Sequence, residues 1–215
     1  MPRAALSREA VINGALKLVD REGLDSLSMR RLGQQLGVEA MSLYNHVAGK
    51  ADILDGLAEA VLAHLDVGLD PAATWQDKIR ALARSFRAAA TKHPGAFTLV
   101  SARQLGSAAG LRPVEAELSI LGEAGFDAET SVHILRTFVA FVTGSLVREL
   151  TAEPEVSGTD PVARATRIEV LRAAGFTAIA NAADHIAVVD HEAEYYFGVD
   201  LFIAALEDKL SKAAV

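Results

Sequence analysis

The segment Met41-Ser42-Leu43-Tyr44-Asn45-His46 carries the side chains best suited to chemistry in this sequence. Serine and asparagine offer a donor and an acceptor within reach of base edges. Tyrosine and histidine reach phosphate oxygens or thymine methyl groups. Tyr, Asn and His exposed on one short helix serve solubility poorly, and they suit a helix laid in a major groove. Arg30 lies before this segment and Lys50 after it, each placed for a backbone phosphate. The alternative is a small helical subdomain with no nucleic acid to bind, and a bare helix-turn-helix pattern leaves both readings open.

The elements that must position these residues are helices. Ser7 is an N-cap candidate with Glu9 in the first turn behind it, and Ile12, Ala15, Leu16 and Val19 form an i, i+3, i+4, i+7 stripe that Gly23 ends. A second helix follows Ser28 from Met29 to about Leu36, and Gly37 stops it. The pattern predicts a third from about Ala40 to Val47 and a fourth from about Lys50, carrying Ile53, Leu54, Leu57, Val61, Leu62 and Leu65. Leu32, Leu36, Val38, Leu43 and Val47 can pack the two short helices on the first. Further on, helices are expected over about 74–91, 112–124, 128–151, 161–181 and 187–210. Breaks are expected at Asp70–Ala73 and His93-Pro94-Gly95, a loop over Gln104–Gly110, and a flexible loop over Thr151–Asp160. The fold class is all-α: an N-terminal three-helix helix-turn-helix domain over residues 1–66 and a helical ligand-binding and dimerisation domain over 67–215.

Composition narrows the function. The 215 residues suffice for one substantial core with a small head, or for two small domains. There is no cysteine, so disulfides and thiolate metal sites are out. The net charge of −7 divides into +2 over residues 1–50 and −9 over the rest, which suits a protein presenting only its head to phosphates. No secretory signal is visible. The longest apolar run, Phe138–Val147, is interrupted by Thr143, Gly144 and Ser145, shorter than the roughly 20 residues a bilayer needs. The expectation is a cytoplasmic protein without a membrane partner. A Gly-rich phosphate loop, a nucleophile elbow and a paired-carboxylate metal motif are all missing, so an enzyme is not expected. His191-Glu192 lacks the second histidine of a zincin motif, and no metal or other cofactor is expected.

Residues 6–65 closely resemble the N-terminal domain of the tetracycline-repressor (TetR) family. The resemblance rests on Val11-Ile12-Asn13, Leu36-Gly37-Val38, Leu43-Tyr44-x-His46-Val47 and Lys50. It extends less densely over the body, through Trp75-Gln76-Asp77, Ser85-Phe86-Arg87, Ala124-Gly125-Phe126 and Phe197-Gly198-Val199-Asp200-Leu201. The resemblance implies an all-α homodimer whose recognition helices each enter one half of a palindromic double-stranded operator. It implies that Arg30, Ser42, Tyr44, His46 and Lys50 touch DNA, with Ala40, Met41 and Asn45 at the remaining reading positions. The tetracycline repressor has Gln, Pro and Trp at those three, so its operator sequence does not transfer.

The last two helices are the expected dimer surface; the C-terminal one is apolar on two faces and needs two partners, which a four-helix bundle shared between subunits supplies. Tyr195, Val199, Phe202, Leu206 and Leu210 form one stripe, the first four being the expected dimer contacts; Phe197, Leu201 and Ala205 form another. The middle helices are expected to enclose a small organic effector, with Leu82, Phe86, Leu99, Arg103, Glu117, His133, Phe138 and Val142 as candidate lining residues. Only Phe86 and Arg103 match the tetracycline repressor's ligand positions in kind, and Leu99 stands where that protein has its Mg²⁺-ligating histidine. An apolar or mildly polar effector is therefore expected in place of a drug–magnesium complex. The sign of control, repression or activation, is written in no motif.

Overall fold

The computed structural model describes residues 6–68, 70–102, 108–152, 161–186 and 188–213, and all regular structure among them is helical. The helices are α1 (Arg8–Glu22), α2 (Met29–Leu36), α3 (Ala40–Leu43), α4 (Lys50–Ala63), α5 (Trp75–Lys92), α6 (Pro94–Ala102), α7 (Ala108–Ala124), α8 (Ala128–Thr151), α9 (Pro161–Ala173), α10 (Thr177–Ile186) and α11 (His191–Ala213). A 3-10 turn, Leu24–Ser26, links α1 to α2.

Local chemistry sets several of these ends. Ser7, Ser28, Thr74 and Asp127 each accept a backbone N–H in the first turn of the helix they precede. Gly37 closes α2 at φ 67°, a left-handed conformation that glycine adopts without strain.

Four expectations change. The break at His93-Pro94-Gly95 is only a corner: α6 starts at Pro94, where a missing N–H is harmless, and buries Ala96, Phe97 and Leu99. The single helix expected over 161–181 is two, α9 and α10. They are divided at Gly175 (φ 85°), whose N–H donates to the Arg172 carbonyl while that of Phe176 donates to Leu171. The last helix starts at His191 rather than near Ala187. Of the loop expected over Gln104–Gly110, residues Ala108–Gly110 belong to α7 and 104–107 lie outside the described residues, as does most of the loop expected over Thr151–Asp160.

One apolar core runs from head to body. It includes Val11, Leu32 and Leu43 of the head, Leu57 and Val61 of α4, Phe97 of α6, Phe86 of α5, Phe138 of α8 and Tyr195 of α11. Helix α6 is the bridge: it packs on α1 and α4 on one side and on α5 and α8 on the other. By length and composition α8 could cross a membrane, with mean hydropathy 1.4 over its most apolar 18 residues. It packs instead against α5, α6, α7 and α11, as the central helix of the body.

Candidate nucleic-acid interface and effector site

The head is built around close backbone approaches. Gly33 of α2 is buried, and a Cβ placed on it would lie 2.9 Å from the Val38 carbonyl oxygen and 3.2–3.3 Å from the Ala40 backbone. This residue sets the distance between α2 and the recognition segment. Leu32 and Leu43, both fully buried, and Val47 fix the underside of that segment.

The recognition helix is shorter than the pattern predicted. α-Helical geometry covers Ala40–Leu43, and the chain then tightens into three-residue-reach bonds: Tyr44 N–H to Met41 O (3.2 Å), Asn45 N–H to Ser42 O (3.4 Å) and His46 N–H to Leu43 O (2.9 Å). Its outward face is open. Met41 is 75% exposed and Tyr44 49%; Asn45 is exposed, while Ala40, Ser42 and His46 are half-buried. Arg30 and Lys50 are exposed at either side, and neither is paired with a carboxylate among the described residues. The structure therefore brings the eight predicted head residues to one compact unit.

Three positioning residues escaped the sequence reading. Asp52 accepts from the Ala48 backbone N–H (2.9 Å) and from the Arg8 guanidinium (2.8 Å), fastening the turn that carries Lys50 to α1. The Arg8 hydrogen bond, with the Ala48 N–H behind it, holds the Asp52 carboxyl below the usual carboxylate range. Glu22 grips both Arg21 and Arg31. Gln35 donates to the Gly14 carbonyl (2.7 Å) and accepts from Arg21 (3.1 Å), tying α2 to α1. The signal for the first was present, since an acid at the third helical position reaches back over its own N-terminus. The other two depend on the crossing of α1 and α2, which periodicity does not encode.

In the body, Leu82, Phe86, Leu99, Phe138 and Val142 belong to the common apolar core. Glu117 is 1% exposed, and its Oε1 has no hydrogen-bond partner. Burial pushes its carboxyl up to about 8. His133 does not join them. The inward face of α8 is Ser131, Ile134, Phe138, Val142 and Leu146, so His133 points outward, into a surface groove with Thr130, Thr137, Phe202 and Lys209. Arg103 lies outside the described residues. Among the described residues no three His, Asp or Glu side chains are grouped to hold a metal ion.

The expected dimer stripe is corrected. Tyr195, Val199 and Leu206 are buried within their own chain, and the Tyr195 hydroxyl donates to the Ala83 carbonyl at 2.8 Å. Phe202 is half-buried against Phe138, ring centroids 5.2 Å apart. The other stripe is the exposed one: Phe197 is 67% and Leu201 57% open. Polarity could not separate the two, because both are apolar.

Polar side-chain contacts tie distant elements together. Arg87 of α5 meets Glu149 at 2.7 Å and Glu192 at 3.3 Å, joining α5, α8 and α11. His93, at the corner before α6, meets Asp20 of α1 at 2.9 Å and stacks at a tilt on His64.

Comparison with known proteins agrees with this architecture. Residues 67–210 match the family model described as tetracyclin repressor-like, C-terminal domain. The chain is 35% identical to the class E tetracycline repressor protein of Escherichia coli over 151 residues, covering 68% of this chain and 70% of that one. The solved structure of the TetR family protein ActR from Streptomyces coelicolor, in complex with actinorhodin, superposes with a TM-score of 0.82 at 26% identity, covering 96% of this chain and 99% of ActR. A possible TetR family transcriptional regulator from the same organism gives 0.79 at 28%, covering 94% and 99%. With its helix-turn-helix head, its bridging α6 and a matched body, the chain belongs to the tetracycline-repressor family of transcriptional regulators and is not an enzyme.

Proposed function

We propose that this protein is a cytoplasmic repressor that binds a palindromic operator as a homodimer and leaves it when a small organic effector enters the body. The observation that carries this reading is the open face of the recognition segment on a head that shares one core with the body. The complex of the relative ActR with actinorhodin supports the second half. Because α6 touches α1 and α4 as well as α5 and α8, a rearrangement in the body reaches both heads and alters their spacing. The coupling is reciprocal, so operator must weaken effector binding by the same factor.

The test is selection of bound duplexes from a random pool, followed by affinity measurements on the enriched site. Tyr44→Ala should lower affinity by about 10- to 100-fold, the equivalent of roughly 1–3 kcal/mol per lost base or phosphate contact. Lys50→Ala should weaken all sequences alike and reduce the slope of log K against log salt by about 1 per head. Absence of any enriched palindrome, with and without candidate effectors, would overturn the reading.

Homodimerisation is proposed through the exposed stripe of α11. Phe197 and Leu201 give a contiguous apolar face that the chain itself leaves open. Leu201→Glu should convert the dimer to a monomer in sedimentation and lower operator affinity, since one head alone reads one half-site. A dimer of unchanged stability would exclude this stripe.

A further inference from the structure

The buried face of α7 runs Gly110, Pro113, Glu117, Ile120 and Leu121. Four of these five positions pack as small or apolar groups, and the fifth is a carboxyl group. Leu121 packs with Ile134 and Leu206, and α7 and α8 run antiparallel about the Gly125–Asp127 turn. One helical turn further from that turn lie Glu117 on α7 and Phe138 on α8, so the carboxyl is level with Phe138.

A structural acid in a core has a partner, because an unpaired buried charge is costly. Arg87 and His93 each meet a carboxylate, Glu149 and Asp20, although the Arg87 Nε and the His93 Nε2 have no partner among the described residues. Among the described residues Glu117 makes no ion pair and its Oε1 has no hydrogen-bond partner, and burial is what acts on its carboxyl group. A local rule broken without internal compensation marks a group whose partner comes from outside. A neutral amide or an alcohol would be served as well by Gln or Ser at this position, without the cost of burying an acid. An anionic effector is disfavoured by the body's net charge of −9 over residues 51–215.

We infer that the effector carries a basic amine on an apolar scaffold, and that the Glu117 carboxylate pairs with the ammonium group against the aromatic wall of Phe138. This rests on the reading that the body holds an effector. The protons balance simply. Near neutral pH the free protein holds the Glu117 proton, so binding of the ammonium ion forms the ion pair and releases that proton to buffer. An ion pair in a low-dielectric pocket is worth far more than in water, which offsets the cost of bringing the cation in.

The experiment uses the full chain and a panel of polycyclic aromatic amines, each matched with its N-acetyl amide, and a second panel of carboxylic acids on the same ring systems. Binding is read by calorimetry in two buffers of different ionisation heat, and by operator release. Amines are expected to bind at least 10-fold tighter than their amides, with release of up to one proton per bound amine near pH 7. E117Q should erase the amine–amide difference, and E117D should retain it in weakened form. The ligand-free melting curve of each variant verifies that it is folded. The inference is overturned if no amine binds, if amides bind as tightly, if the preference survives in E117Q, or if only acids release the operator. The effector reading fails separately, when no small molecule of any charge changes operator affinity.

Discussion

Replacing Gly33 by alanine is expected to abolish sequence-specific operator binding while the body stays folded. The added methyl group would sit 2.9 Å from the Val38 carbonyl oxygen and 3.2 Å from the Ala40 backbone nitrogen. Both neighbours are backbone, so no side chain can rotate away. The recognition segment must move outward by several tenths of an ångström, and its base contacts lose their register. Overpacking of this kind costs about 1–3 kcal/mol in stability. The loss in affinity should be larger, roughly 100-fold or more, because several contacts worth about 1–3 kcal/mol each are misplaced together on both half-sites. Fluorescence anisotropy on the selected operator measures it. Gly122→Ala is the control: an added Cβ there meets nothing within 4 Å, on an exposed face of α7. It should leave operator affinity unchanged and raise stability by about 0.5–1 kcal/mol through helix propensity. Equal affinity of the Gly33→Ala and wild-type proteins would show that the α2–α3 spacing is not what sets recognition.

The second large effect concerns pH. Burial raises the Glu117 carboxyl from 4.5 to about 8 in the folded chain. The helices packed on α7 are α4, α5 and α8, and the ionic contact between α5 and α7, Lys78 with Glu123, does not involve Glu117. Between the two values the native state holds a proton that the unfolded state has lost. Stability is therefore complete below pH 4.5 as far as this group is concerned, and it falls as pH rises toward 8. The loss reaches on the order of 4 kcal/mol at the top of that window. Glu117→Gln cannot ionise, so it should be markedly more stable than wild type at pH 8 and comparable to it near pH 4.5. Chemical denaturation of both proteins at pH 5, 6.5 and 8 reads the difference directly. Parallel pH profiles would mean that the Glu117 carboxyl is solvated or partnered in the native protein.

These two residues also show where sequence reading stops. Ser7, Ser28 and Asp127 cap helices because their side-chain oxygens satisfy free N–H groups within three residues, and that chemistry is local. Gly37 stops α2 for an equally local reason, its positive φ. The stripe Ile12, Ala15, Leu16 and Val19 is buried as its spacing requires. The outward side chains of the recognition segment, Met41, Tyr44 and Asn45, were legible because apolar Leu43 and Val47 claim the inner face.

The tertiary structure decided everything that depends on a neighbour. Gly33 is an ordinary helical residue until the backbone of Val38 and Ala40 closes on it. Pro94-Gly95 reads as a break, yet Pro94 opens α6 because Phe97 and Leu99 have a core to enter and Gly95 lies directly against Val19 of α1. Helix α11 is apolar on two sides, and only the positions of α5 and α8 determine that Tyr195, Val199 and Leu206 turn inward while Phe197 and Leu201 remain open. His133 and Phe138 are both plausible pocket residues by type, and the rotation of α8 separates them. Caps, stops and periodic stripes follow from bonds within a few residues. Which stripe is buried, and which acid is enclosed, follows from the packing of helices distant in sequence.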